Sequence, residues 1–206
     1  LAENAVHNFH NLLPFRGAQV RNSLNCTTYI SEAISLWGEK AEVLIGQHHW
    51  PVWGQHKVAD YLKIQRDLYK FVHDQTLRMI NAGQTPQEIA ETIRLPKSIE
   101  NTWHARGYYG SLRHNVKAIY QHYIGWYDAV PANLDPLPPV QTGAKMIEYM
   151  GGIDAAVAKA QVDFDAGNYR WVAQVMNHAV FSDPAHQGAR DLLSAAYEQL
   201  GYLAEC

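Results

Sequence analysis

Residues 56–81 have the sequence HKVADYLKIQRDLYKFVHDQTLRMIN, and this stretch decides the fold class. Apolar side chains recur along it every three or four residues, which predicts one amphipathic helix of roughly 39 Å. Ala82-Gly83 ends this helix, and Thr85-Pro86 begins another with a cap and a first-turn proline. Because no convincing strand pattern follows Gly54, residues 55–206 are predicted to be all-helical.

The residues before Gly54 follow a different pattern. Residues 22–38 predict a helix, and the short apolar run at 42–46 predicts a buried strand that leads into HHWPVWG at 48–54. A helix, a strand and a polar loop at the strand's carboxyl end are typical of the closing part of an α/β layer, where sites gather. We therefore predict two domains, residues 1–54 and residues 55–206.

The last 65 residues contain a weak repeat. A helix, a Gly-x-Tyr turn at 167–169, a second helix, an Asp-Pro boundary at 183–184 and a third helix follow one another. This order is typical of a tetratricopeptide-like hairpin, and a generic pair of antiparallel helices explains the same pattern. Under either explanation the fold class is mainly α.

The composition excludes several classes of protein. Of the 206 residues, 47% are hydrophobic and 18% charged, as in a packed globular chain. The net charge is −3 and the basic residues are scattered, so nucleic acid is not an expected partner. The apolar runs are too short for a transmembrane segment. The start, LAEN, lacks an initiator Met and the features of a signal peptide, so we expect an internal piece of a longer protein.

Three places in the sequence could carry chemistry. His48 or His49, after the predicted strand, could ligate a metal, and at most one of them is expected to, because adjacent side chains on extended backbone point opposite ways. Alternatively, His49 could cap a turn and His48 could be a surface residue. Arg16 could bind a sulfate, phosphate or carboxylate, or be a solvated surface arginine. The aromatic segment 107–126 is typical of a helix core, and His114-Asn115 at its helix start could present polar groups to an anion.

Longer phrases carry a resemblance to a known family. They are AEN at 2–4, HNL at 10–12, RGAQVR at 16–21, HHWPVWG at 48–54, YLKIQRDLYK at 61–70, HDQTL at 73–77, RGYYG at 106–110, HNVKAIY at 114–120 and PANL at 131–134. In this order they resemble the bacterial alkyl sulfatases of the metallo-β-lactamase superfamily, which hydrolyse dodecyl sulfate and similar detergents.

The resemblance implies a domain order and a function. Residues 1–54 would be the C-terminal remnant of an αββα metallo-β-lactamase-like domain with two zinc ions, and residues 55–206 the helical dimerisation domain. The chain would be part of a zinc-dependent alkyl sulfatase that releases an alcohol and sulfate. It would be inactive alone, because the family's His-x-His-x-Asp-His motif is absent from the sequence and expected upstream. The alternative is a helical self-association module without catalytic activity.

The resemblance also implies roles for individual residues. Glu3 and His48 match zinc ligands, and Asn11 and Arg16 match residues that hold the sulfate group. His114 and Tyr123 are the candidates for further sulfate contacts. A homodimer formed by the helical domain and a periplasmic or secreted location are implied as well.

Overall fold

The computed structural model describes residues 2–206, and most of these residues are helical. The α-helices are α1 (Ser23–Trp37), α2 (Gln55–Asn81), α3 (Pro86–Thr92), α4 (Lys97–Glu100), α5 (Leu112–Ile124), α6 (Pro139–Met150), α7 (Ile153–Asp165), α8 (Tyr169–Ser182) and α9 (Gln187–Leu203). Single 3₁₀ turns lie at Ala2–Asn4, Trp103–Ala105 and Pro131–Asn133. The strands within the described residues are β1 (Val43–Leu44) and β2 (Val52–Trp53). The mainly α class is confirmed.

The long helix that the periodicity predicted is α2. Its predicted inner stripe is buried throughout, from Val58 near its start to Met79 near its end. Helices α1 and α5 both pack on α2, and α3 packs on α5. The caps also form as expected, since Thr85 and Glu88 make a reciprocal capping box at α3.

The strand predicted at 42–46 differs from the expectation. β1 is two residues long and pairs antiparallel with β2, with Val43 opposite Trp53 and Leu44 opposite Val52. Both strands are only partly covered, so the prediction of a buried strand followed by a plain loop is wrong. Pro51 has no N–H to donate, which limits the pairing to the last two residues before Gly54. His48 therefore lies in the loop of a short hairpin.

The chain forms two compact units that are described separately here. One unit ends at Pro131 and also includes residues 205–206, and the other runs from Ala132 to Ala204. The first unit contains the β-hairpin together with α1 to α5, because α1 and both strands pack on α2. The predicted boundary at 54/55 concerns the domains of a longer protein and stays a prediction.

The second unit is a helical layer built around α8. Helix α8 contacts α6, α7 and α9, and its buried side chains include Val172, Met176 and Ala179. Helix α6 precedes the helices of the predicted repeat and begins at Pro139. Proline is favourable at the first helical position, since its missing N–H would have no partner there. No helix among residues 2–206 is long and apolar enough to cross a bilayer.

Candidate functional site

The segment of residues 5–12 enters the core of the first unit without forming a helix or strand. Phe9 is buried, and its ring meets the ring of Tyr69 on α2 edge to face at 5.4 Å. A buried backbone must find partners for its polar groups. The N–H of Phe9 donates to the carbonyl of Arg106 at 2.7 Å, and the carbonyl of Phe9 accepts from the N–H of Gly110 at 2.9 Å.

Asn115 holds the end of the same segment. Its side chain, 1% exposed, donates from Nδ2 to the carbonyl of His10 at 3.0 Å and accepts on Oδ1 from the N–H of Leu12 at 2.8 Å. The hypothesis that Asn115 presents its amide to an anion is therefore wrong. Its amide instead fixes the backbone on both sides of Asn11.

The structure explains why the RGYYG motif has glycine at position 110. A Cβ at this position would lie 2.5 Å from the carbonyl oxygen of Phe9 and 2.6 Å from the backbone nitrogen of Asn11. Only glycine lets the two backbones approach this closely. The tight contact places the 9–11 segment against the turn that leads into α5.

The carboxylate of Glu3 is the centre of a polar cluster. Its Oε1 lies 3.5 Å from Nε2 of His48, and its Oε2 lies 3.5 Å from Nε2 of His10 and 3.0 Å from Nη2 of Arg21. Burial raises the pKa of Glu3, but His10, His48 and Arg21 together outweigh burial and hold it below its ordinary value. The structure thus brings together Glu3 and His48, the two residues predicted to bind metal.

Arg21 and His10 belong to this cluster but were not predicted. Arg21 Nη1 donates to the carbonyl of Asn11 at 2.7 Å and lies 3.2 Å from Nδ1 of His10, which is itself 2.9 Å from the same carbonyl. Burial lowers the pKa of His10 and outweighs the hydrogen bond to Asn11, which raises it. The phrase RGAQVR contains Arg21, but nothing in its local pattern separates Arg21 from Arg16.

His48 and His49 face different partners. The ring of His48 faces Glu3, whereas Nε2 of His49 lies 2.8 Å from Nδ2 of Asn8. The backbone of His49 has a φ of 71°, a left-handed conformation that is uncommon for a residue with a Cβ. The two rings thus point to different neighbours, and the assignment of the metal to His48 alone stays a prediction.

Asn11, Arg16 and His114 lie around the start of α5. Asn11 is buried, and its Nδ2 donates to the carbonyl of Tyr109 at 3.1 Å while its Oδ1 has no hydrogen-bond partner. Arg16 is exposed in the turn at residues 15–17. The ring of Phe15 in that turn meets the ring of His114 at 5.4 Å. Asn11 and the Phe15–Arg16 turn thus each lie near the start of α5, and the binding of sulfate by Asn11, Arg16 and His114 stays a prediction.

Tyr123 lies apart from that group. Its hydroxyl is 2.7 Å from Nε2 of His73, whose Nδ1 is 2.8 Å from Oδ1 of Asp74. Tyr123 follows His114 by nine residues on the same helix, so the two residues are separated by about 14 Å along the helix axis and lie on opposite faces. His114 and Tyr123 therefore do not reach the same small anion from α5, and the role of Tyr123 stays a prediction.

The donor types at Glu3 and His48 suit zinc. Carboxylate oxygen and imidazole nitrogen are common zinc ligands. The Glu3 and His48 side chains remain 34% and 57% exposed, so both are accessible. No group of three or more His, Cys, Asp or Glu side chains within residues 2–206 is arranged to hold a metal ion by itself. Among the described residues, Glu3 and His48 thus offer two donors of the kinds that zinc takes, and their binding of a metal stays a prediction.

Comparison with known proteins identifies the class of protein. The family described as alkyl sulfatase dimerisation matches residues 85–206, which is more than half of the chain. The chain is 55% identical over 205 residues to the alkyl/aryl-sulfatase BDS1 of Saccharomyces cerevisiae, covering all of this chain and 32% of that protein. It is 48% identical over 204 residues to a linear primary-alkylsulfatase of Pseudomonas sp., covering 99% of this chain and 30% of that protein.

A solved structure agrees with these relatives. The stereoselective inverting sec-alkylsulfatase Pisa1 from Pseudomonas sp. superposes with a TM-score of 0.97 at 47% identity, covering 99% of this chain and 32% of that one. The fold is therefore that of a segment of the alkyl sulfatases. The chain belongs to the alkyl sulfatase dimerisation family. It spans about a third of the length of the curated relatives it matches.

Proposed function

We propose that this chain is part of a zinc-dependent alkyl sulfatase that hydrolyses alkyl sulfate esters to an alcohol and sulfate. The observation that carries the proposal is the meeting of Glu3 and His48, 45 positions apart in sequence, with 3.5 Å between Oε1 and Nε2. The family match at residues 85–206 supports it. Because the two residues are only part of a ligand set, the isolated chain is expected to be inactive.

The residues of the cluster would have different roles in the proposed site. Glu3 and His48 would hold zinc, and the complete enzyme would hold two zinc ions. Zinc lowers the pKa of a bound water toward about 7, which makes hydroxide available at neutral pH. Arg21 keeps the Glu3 carboxylate in place through its 3.0 Å contact.

The sulfate group would be held at the start of α5. Arg16 presents a planar fork of donors to two sulfate oxygens. Asn11, fixed on both sides by Asn115, would contribute its amide. In the net reaction one water is consumed and the C–O or S–O bond of the ester breaks, so the oxygen of water ends in either the alcohol or the sulfate. One hydrogen of water ends on the alcohol oxygen, and the other leaves as hydrogen sulfate or as a released proton. Hydrolysis in ¹⁸O-labelled water, with mass spectrometry of both products, shows which bond breaks.

The metal assignment is tested in the full-length enzyme by Glu3→Gln, His48→Ala and His49→Ala. Zinc content and dodecyl sulfate hydrolysis should fall in the first two variants. The matched control is His49→Ala, which removes the neighbouring imidazole and should keep its zinc. Loss of zinc from the control with retention in His48→Ala would show that the assignment is wrong.

The sulfate assignment is tested by Arg16→Lys. This change keeps the charge and removes the bidentate fork, so kcat/KM for alkyl sulfates should fall. Zinc content should stay at the wild-type value, which separates sulfate binding from metal binding. An unchanged kcat/KM would remove Arg16 from the site.

Self-association is the second candidate function. We propose a homodimer formed through the helical residues 55–206. The family description supports it, as do the large apolar side chains left exposed on the second unit, including Tyr149, Val162 and Trp171. Aromatic residues such as Tyr149 and Trp171 are enriched in the cores of protein interfaces. In sedimentation at micromolar concentration the chain should behave as a dimer, and a species that stays near 23 kDa would refute this.

The proposed location is periplasmic or secreted, and its support is the family resemblance alone. Fractionation of the native host, with antibody detection of the chain, is the direct measurement. Recovery in the cytosolic fraction would contradict the proposal.

A further inference from the structure

Asn11 carries a buried side-chain oxygen that no described residue binds. The residue is 9% exposed, and its Oδ1 has no hydrogen-bond partner within residues 2–206. Burying a polar atom without a partner is costly, and each such atom in a folded protein calls for an explanation. An oxygen of this kind beside a candidate site indicates that something else binds there.

The orientation of the Asn11 amide is fixed by its neighbour. Its Nδ2 donates to the carbonyl oxygen of Tyr109 at 3.1 Å. The reversed amide would place Oδ1 against that carbonyl, and two oxygens that only accept hydrogen bonds repel each other. The nitrogen therefore faces Tyr109, and Oδ1 faces away from it.

The backbone around Asn11 is held as well. Asn115 binds the carbonyl of His10 at 3.0 Å and the N–H of Leu12 at 2.8 Å. Gly110 lies so close that a Cβ on it would be 2.6 Å from the backbone nitrogen of Asn11. Because a group that is already held in place loses little freedom when it binds, Oδ1 is a preorganised acceptor.

Asn11 adjoins the carboxylate of Glu3 through two side chains. Arg21 spans the distance between them, with Nη1 2.7 Å from the carbonyl of Asn11 and Nη2 3.0 Å from Oε2 of Glu3. The ring of His10 spans the same two groups, with Nδ1 2.9 Å from the carbonyl and Nε2 3.5 Å from Oε2. Asn11 therefore lies one side chain away from a predicted metal ligand.

The chemistry of the proposed reaction limits what can bind this oxygen. The side-chain oxygen of asparagine accepts hydrogen bonds and donates none. An alkyl sulfate has no O–H or N–H group, so its anionic head is attracted by the N–H groups of a site and repelled by an acceptor oxygen. Water is the reactant that has a hydrogen to donate. The second N–H of Nδ2 remains available to the sulfate, so one amide can serve both reactants.

We propose that Oδ1 of Asn11 accepts a hydrogen bond from the water that the ester hydrolysis consumes, and holds this water beside the ester. The inference rests on the proposed function, because water is the second reactant of that hydrolysis. Asn11 is then a catalytic residue with two contacts. Its nitrogen binds the sulfate group, and its oxygen binds the water.

The first test is a crystal structure of the full-length, zinc-loaded wild type with inorganic sulfate. An ordered water is expected about 2.8 Å from Oδ1 of Asn11, with the sulfate on the nitrogen side of the amide. A protein N–H or O–H group or a metal ion bound to Oδ1, or an Oδ1 that binds nothing, would overturn the proposal. A second crystal is soaked in hexan-1-ol. If Oδ1 binds the alcohol hydroxyl there and no water in the first crystal, the ligand is the product alcohol and the proposal is wrong.

The second test measures the kinetics of Asn11→Ala in the full-length enzyme. For dodecyl sulfate, kcat should fall about three- to tenfold, which is the effect of one hydrogen bond, because the water is no longer oriented. Zinc content should not change. In calorimetry, inorganic sulfate should lose less affinity than in Arg16→Lys, since Arg16 would supply two of its hydrogen bonds and Asn11 one. An unchanged kcat with as large a loss of sulfate affinity as in Arg16→Lys would show that Asn11 serves the sulfate alone.

Gln84→Ala is the matched control. Gln84 lies between α2 and α3, and its Oε1 is also buried without a partner among the described residues. This change removes an oxygen outside the Glu3 cluster and should keep the wild-type kcat. Equal losses of kcat in Gln84→Ala and Asn11→Ala would reveal a general effect of packing and overturn the proposal. If Asn11→Ala folds poorly, Asn11→Leu takes its place, because leucine keeps most of the side-chain volume.

The outcomes separate the water site from the proposed function. If the wild type hydrolyses alkyl sulfates and either the crystallographic or the kinetic expectation fails, the water site alone is overturned. Failure of the zinc-loaded wild type to hydrolyse any alkyl sulfate would refute the proposed function, and the water site with it.

Discussion

Replacing Arg21 by Met tests the polar cluster most directly. Methionine keeps much of the length of the side chain and removes the guanidinium, which joins Glu3 Oε2 at 3.0 Å to the carbonyl of Asn11 at 2.7 Å. A hydrogen bond to a charged group contributes about 1.5–3 kcal/mol when buried. The side chains of Arg21 and Glu3 are 31% and 34% exposed, so solvent screening reduces this contribution. We expect the free energy of unfolding to fall by about 2 kcal/mol for the two bonds together.

The assay is urea unfolding of the full chain at pH 7, followed by tryptophan fluorescence. Five of the six tryptophans precede residue 131, so the signal reports mainly the first unit. Arg21→Lys should lose about 1 kcal/mol, because one ammonium does not span both partners. In the full-length enzyme, the Met variant should also bind zinc more weakly, since the Glu3 carboxylate is no longer held.

The control is Arg66→Met, which removes an arginine of similar exposure whose partner is the adjacent Asp67. An ion pair of this kind contributes little, so stability should change by less than about 0.5 kcal/mol. If Arg21→Met is no less stable than this control and retains its zinc, the argument that Arg21 positions Glu3 is refuted.

Three further predictions concern the remaining contacts. Gly110→Ala should destabilise the chain by about 1–3 kcal/mol in urea unfolding, because its Cβ meets the backbone of Phe9 at 2.5 Å. Gly201→Ala, in α9 with open space around it, should be neutral or stabilising, and equal effects of the two changes would contradict the clash. Asn115→Leu should cost about 2–4 kcal/mol, since it leaves two buried backbone groups unpaired, and a loss below about 0.5 kcal/mol would refute the clamp. The pKa of His104 is about 4 in the folded chain against an ordinary 6.5, so as the pH falls the unfolded chain takes up a proton at this histidine before the folded chain does. The free energy of unfolding should therefore fall by about 1–3 kcal/mol between pH 6.5 and pH 4, and His104→Gln should reduce that fall.

The candidate site could be predicted in part because its residues lie in short sequence motifs that resemble those of a known family. The resemblance predicts Glu3 and His48 as metal ligands, and the two side chains do meet in space. The resemblance does not separate His114 from Tyr123, because both lie in the same helix within the matching segment. Helical geometry separates them, since nine residues turn a side chain to the opposite face.

The sequence by itself determined the local structure. The apolar period of α2 selected the face that is buried, and the Thr85-Pro86 start and the Ala82-Gly83 end placed the helix boundaries to within a residue or two. These features depend on neighbours three or four positions away, so a linear pattern contains them. The short hairpin was misjudged because strand pairing depends on a partner segment, here residues 52–53.

Only the tertiary structure decided which polar residues act together. Arg21 and Arg16 look alike in the sequence, yet Arg21 binds Glu3 while Arg16 is exposed. The buried side chain of Asn115 hydrogen-bonds the backbone of His10 and Leu12, more than a hundred positions earlier in the sequence, and no local sequence pattern predicts this contact. The physical reason for these tertiary contacts is that the backbone of residues 5–12 is buried. Removing that backbone from water obliges each of its polar groups to find a partner, and the packed helices determine which side chains are within reach.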